Sequence, residues 1–119
     1  MTETSNKKHY DLEDRTLAFT KRTINFINRI TRTITNIEIA KQLIRSAGSV
    51  GANYIEANES LGKKDFLFHI RISRKEAKET RYWLQLIECS DILKEEQANL
   101  IQETTELMKI FGAILEKSK

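Results

Sequence analysis

The sequence predicts an all-α protein, an antiparallel up-and-down four-helix bundle, on three observations. The 119-residue chain holds no proline and only four glycines, so few positions enforce a turn and long helices are favoured over many short strands. Apolar residues recur in steps of three and four through four separate segments, which is the spacing of one face of a helix. No stretch alternates with period two as a half-buried strand would, and no internal repeat or low-complexity run interrupts the pattern. Four amphipathic helices with short connections close as a bundle.

Residues 1–10 are polar and read as a flexible N-terminal tail, leaving 11–119 as a single domain. The first helix carries Leu12, Thr16, Phe19, Thr23, Phe26, Ile27, Ile30 and Ile34 on one face. The second begins near Thr35 or Asn36, either of which can cap exposed amides, with Glu38 in the first turn. Its stripe runs Ile37, Ala40, Leu43, Ile44, Ala47, Val50, Gly51, Tyr54, Ala57 and Leu61. A break at Ser60 to Gly62 leads into a third helix with Phe66, Ile70, Ser73, Ala77, Thr80, Leu84 and Ile87 on its seam and Trp83 at the edge. Ser90 and Asp91 supply turn and capping groups. The fourth helix carries Leu93, Leu100, Ile101, Thr104, Leu107, Met108, Phe111, Ile114 and Leu115.

Composition excludes several classes. One cysteine, Cys89, cannot form an internal disulfide. The first ten residues hold no apolar run that could serve as a signal peptide, and no stretch approaches the roughly 20 apolar residues of a membrane span. A cytoplasmic location is expected. Net charge is +3, but charge is sorted by segment. Arg15, Lys21, Arg22, Arg29 and Arg32 follow one another with no intervening acid, whereas the fourth helix sets Glu95, Glu96, Glu103, Glu106 and Glu116 against three lysines.

The stretch "RSAGSVGANYIEANES" is an unusual piece of helix, because small residues occupy both of its faces. The core side carries Ala40, Ala47, Gly51, Tyr54 and Asn58, and the opposite side Gln42, Ser46, Ser49, Asn53, Glu56 and Ser60. Small side chains let backbones approach closely, so one side suits a neighbour in the bundle and the other a second copy of the chain. Helix three carries a second apolar stripe of Phe68, Ile72, Tyr82 and Leu86 behind its core face, and exposed apolar stripes mark interfaces. Ser49, Gly51, Phe68, Ile72, Tyr82 and Leu86 are therefore the candidate subunit interface of a homo-oligomer.

Two stretches, "QLIRSAGSVGANYIEANES" and "KKDFLFHIRISRKEAKETRYWLQLI", resemble the bacterial four-helix-bundle family encoded in intervening sequences of 23S ribosomal RNA genes. Accessory proteins of diversity-generating retroelements are related to that family. The resemblance covers about residues 10 to 115 and rests on Asn53, Glu56, Phe66 and the spacing of Glu76 seven residues before Trp83. Where relatives often have a Leu-Pro turn between helices one and two, this chain has "ITRTITN". The resemblance implies a four-helix fold, a ring-like homopentamer and no enzymatic activity. For the retroelement branch it also implies binding to nucleic acid and to a reverse transcriptase.

The residues themselves offer little for catalysis or cofactor binding. Gly48 and Gly51 lie within a helix and lack the Lys-Ser/Thr pair of a phosphate-cradling loop. His9 and His69 are too few for a common zinc site, and no Glu-x-x-His motif supports a di-metal bundle site. No catalytic residue, cofactor or metal is expected. Asn53, Glu56, Asn58, His69, Ser73 and Glu76 read as a polar network at or near the core, since buried polar groups must find hydrogen bonds; a small-ligand pocket is the alternative. The strongest functional hint is basic. Arg15, Arg22 and Arg29 are spaced by seven along helix one, and Arg71, Arg74, Lys75, Lys78 and Arg81, with Lys63 and Lys64, form a stripe on helix three. Such rows can follow phosphates and release counterions. The function expected is a nucleic-acid-binding (RNA) adaptor, the alternative a protein-binding scaffold with no nucleic-acid role.

Overall fold

The computed structural model describes the backbone of residues 3–119 and the side chains from residue 12 onward. Four long helices follow in order: α1 Glu3–Ile27, α2 Ile34–Asn58, α3 Lys63–Leu86 and, after a single 3-10 turn at Asp91–Leu93, α4 Lys94–Lys117. No strand occurs among the described residues. Each helix packs against its sequence neighbour, and α1 closes the ring more lightly against α4. The result is an up-and-down bundle. α1 already runs from Glu3, so the helix overlaps the expected tail; Met1 and Thr2, and the side chains of residues 1–11, lie outside the described residues.

The core is built from the stripes read in sequence. Phe19, Phe26, Leu43, Val50, Ile70, Leu84, Leu100, Leu107 and Phe111 are fully buried, each removal from water stabilising the fold by about 1.5–3 kcal/mol. Stripe membership overreached at the margins, because a three-four spacing spans a wide arc and its edges face water. Ile37 and Ile44 on α2 are exposed in this way. Ile34, the first residue of α2 rather than part of the first helix, and Leu61, in the turn past the end of α2, are exposed because they lie off the helices whose stripes they were assigned to.

The α1–α2 boundary lies two to three residues before its expected place. Thr33, in extended conformation, is the cap, its hydroxyl accepting from the Asn36 amide at 3.0 Å. Asn36, expected as a possible cap, instead joins two loops. Its Nδ2 donates to the carbonyls of Thr31 and Glu88, and its Oδ1 accepts from the Glu88 amide. At the same end Gln97 Nε2 donates to the carbonyls of Leu84 and Ile87, which the end of α3 would otherwise leave without partners.

The small faces of α2 have an intramolecular explanation. On one flank Gly51 meets α1: a Cβ there would lie 2.9 Å from Thr16 Oγ1. On the other flank Ser46, fully buried, accepts from Thr80 at 2.8 Å, and Ser73 donates to the Val50 carbonyl at 2.9 Å. The chain's own α1 and α3 supply both close neighbours, so the second copy invoked for the small polar face is not needed there. Gly51 is buried within the chain and is removed from the candidate subunit interface.

Candidate nucleic-acid interface

The two basic rows have different fates. On α1, Arg15 reaches across to α4 and binds Glu103 at two points, Nε to Oε2 at 2.7 Å and Nη2 to Oε1 at 3.0 Å. One helical register later Arg22 approaches Glu96 at 3.4 Å. Arg29 lies in the turn beyond α1, exposed. The acid-free run of α1 and the acidic α4 are thus partners within the chain, which the sorted charges alone did not reveal. Two of the three arginines are already neutralised.

The α3 row stays open. Arg71, Arg74, Lys75 and Lys78 line one wall of a groove of about 670 Å³, whose other wall is Thr105, Met108 and Lys109 of α4. Among the described residues none of these four α3 cations has a carboxylate within ion-pair distance; Lys109 has only Glu106, at 3.9 Å. Gly112 on α4 lies near the Arg74 end of the groove, a Cβ there falling at ordinary contact distance, 3.9 Å, from Arg74 Nη1. Lys109, Thr105 and Met108 were not foreseen as a groove wall, since α4 reads as an acidic helix. Arg81 is half-buried and its Nε has no hydrogen-bond partner, but it does not line the groove.

The six polar candidates do not form one network. Asn53 donates to the Ser49 carbonyl and hydroxyl and faces His69 Nδ1 at 3.2 Å, with Asp65 3.6 Å from the other ring nitrogen. Glu76 belongs to a second group with Arg45, Glu79 and Trp83. There the Trp83 indole donates to Glu79 at 2.9 Å; that bond, and then Arg45, hold the Glu79 carboxyl below the usual carboxylate range against the opposing effect of burial. Ser73 is tied to the α2 backbone. Asn58, expected to face the core, is exposed and donates to Glu13 of α1 at 2.7 Å. Glu56 is exposed and its side chain joins neither group. No group of three or more His, Cys, Asp or Glu side chains that could hold a metal ion occurs among the described residues. Among the described residues no helix is long and apolar enough to cross a membrane.

Of the interface candidates, Phe68, Tyr82 and Leu86 are exposed, while Ile72 is half-buried and Ser49 is engaged by Asn53. A second apolar area went unseen in the sequence. Leu17 and Ile24 on α1 and Ile37, Ile44 and Ile55 on α2 are all exposed. By helical spacing they flank the contacts that Thr16 and Thr20 make with Gly51 and Ala47, and so line the two rims of the α1–α2 seam.

The solved structure of a protein of unknown function from the S23 ribosomal protein family of Bacteroides thetaiotaomicron superposes with a TM-score of 0.74 at 29% sequence identity. The match covers 87% of this chain and 97% of that one. No curated protein matches the chain. The family model described as 23S rRNA-intervening sequence protein matches residues 8–113, nearly the whole bundle, and the chain belongs to that family.

Proposed function

We propose that the chain is a non-enzymatic nucleic-acid-binding adaptor that engages phosphates through the basic groove between α3 and α4. The observation that carries this reading is the contrast between the rows: Arg15 and Arg22 are held by glutamates, whereas among the described residues Arg71, Arg74, Lys75 and Lys78 face an open groove without a close ion pair, Glu79 acting on Lys75 only at longer range. Cations left unpaired at helical spacing have phosphate as their natural counterion, and displaced counterions drive such binding without reading sequence. The names of the family and of the solved relative's family refer to 23S rRNA and to a ribosomal protein, which sets RNA first among the polyanions to test.

The adaptor is proposed to act as a homo-oligomer, the resemblance implying a pentamer, so that the groove is repeated and its phosphate contacts multiply. A reverse transcriptase enters as partner only where the gene lies in a retroelement cassette. The test is the salt dependence of RNA and DNA binding. Replacing Arg71, Lys75 and Lys78 by Gln should lower the log–log salt slope by about one per cation removed. Binding insensitive to salt, or unchanged in the triple variant, would leave the protein-scaffold reading in its place.

A further inference from the structure

The α3 surface beside the groove is not purely cationic. Phe68 and Tyr82 are each 55% exposed, large rings left in water on a helix whose other large apolar groups are mostly packed away. They stand almost four turns, about 21 Å, apart along the axis at the usual helical rise. Helical spacing places both on the face that carries the cations: Arg71 and Lys75 follow Phe68 by three and seven residues, and Lys78 and Lys75 precede Tyr82 by four and seven. Each ring is braced edge-on by the next residue's ring, Phe68 by His69 at 5.2 Å and 75°, Tyr82 by Trp83 at 5.0 Å and 73°. The braced rings present their surfaces already oriented, so little freedom remains to be lost on binding.

We propose that the outer face of α3 is a track for single-stranded nucleic acid, with Phe68 and Tyr82 stacking bases while Arg71, Lys75 and Lys78 between them hold the phosphates. This rests on the groove reading above and narrows its ligand. Every base offers a π-face, so stacking platforms within a basic stripe accept single strands without reading their sequence. A duplex keeps its bases stacked inside and gives these rings nothing to cover. A two-fold contact through this face would bring the Arg71, Lys75 and Lys78 rows of two copies together and strip their water, a cost that a strand of phosphates does not impose. Phe68 and Tyr82 therefore leave the subunit interface and join the nucleic-acid site.

The test compares oligouridylate with an RNA duplex of equal length, for the intact protein and for a Phe68→Leu, Tyr82→Leu double variant. Leucine keeps apolar bulk at two exposed positions and removes the rings; thermal melts check that the bundle is unchanged. Single-strand affinity should fall about tenfold or more per ring, with duplex affinity unmoved. Fluorescence of Trp83, the only tryptophan, should respond to oligouridylate in the intact protein through its contact with Tyr82. Equal loss for both ligands, or no loss for the single strand, overturns the track but leaves the groove reading standing wherever duplex binding stays salt-dependent. Absence of salt-dependent binding to either ligand by the intact protein removes the groove reading and the track together. Loss of oligomeric mass in the double variant with RNA affinity unchanged gives the rings to a second copy and also overturns the track.

Discussion

Arg15 of α1 and Glu103 of α4 form a two-point ion pair at 2.7 and 3.0 Å, with Glu103 largely buried. The planar guanidinium matches the carboxylate geometry, so the pair fixes how α1 lies against α4, the least extensive of the neighbouring contacts. Arg15→Gln should cost about 1–2 kcal/mol, because Glu103 is left without its partner in a partly dry site. The same substitution, alone or with Arg22→Gln, should barely change the salt slope of nucleic-acid binding, in contrast to the α3 variants. Chemical denaturation and filter binding on one set of proteins separate the two effects. A flattened slope in the α1 variant, with stability intact, would return helix one to the binding surface.

Two glycines three residues apart on α2 should respond with opposite signs. At Gly48 nothing lies within 4 Å of a built Cβ, so Gly48→Ala should stabilise the bundle by about 0.5–1 kcal/mol through helix propensity. At Gly51 the new methyl meets Thr16, whose hydroxyl is held by the carbonyls of Leu12 and Glu13 and cannot swing aside freely. Gly51→Ala should destabilise, overpacking of this kind costing about 1–3 kcal/mol. Melting temperatures decide it, and a rise for both variants would show that α1 yields where the packing says it should not.

The core residues were legible because burial imposes a period: Phe19, Phe26, Leu43, Ile70, Leu84, Leu107 and Phe111 all fall on the stripes expected for them. The four-helix order and the α2–α3 break at Gly62 followed from the same pattern. What periodicity does not encode is which flank meets which neighbour. The small residues Ser46 and Gly51 were read as two different surfaces, one internal and one intermolecular, and both are internal. Likewise Arg15 and Glu103 are 88 residues apart, and no local spacing announces a pair that only the closed ring of helices brings together. Arg71, Arg74, Lys75 and Lys78 could be read as one row because they are neighbours on one helix, whereas the α4 wall they face, Lys109 included, is again a tertiary fact.

Glu79 should make a measurable contribution to acid sensitivity. Its carboxylate accepts from Trp83 Nε1 and is paired with Arg45, and those bonds depress its folded-state pKa. A depressed carboxylate stabilises the fold above its unfolded value, about 4.3, and that stabilisation is lost as pH falls through the lower folded value. Glu79→Gln keeps the shape but not the charge. Stability of the parent should therefore decline more steeply than that of the variant from about pH 5 downward, followed by urea midpoints with Trp83 emission as the probe. Parallel pH curves for the two proteins would mean that the bonds to Glu79 do not persist in solution.

The α1–α2 seam is where self-association should be sought. Leu17, Ile24, Ile44 and Ile55 are between 38% and 53% exposed, and contiguous apolar surface of this kind on a small protein marks a contact. Unlike the α3 face, this row is aliphatic, and Gly48 within it leaves room for a partner's backbone to approach. A second copy fits such a surface without stranding charge. Light scattering should give a mass several times the 13.9 kDa chain, and Ile44→Asn with Ile55→Asn, which removes apolar surface without adding charge, should shift it toward the monomer. RNA affinity should weaken in that variant because the grooves no longer act together, although each keeps its own cations. A monomeric parent protein at micromolar concentration would sink the assembly and leave single-groove binding as the whole of the function.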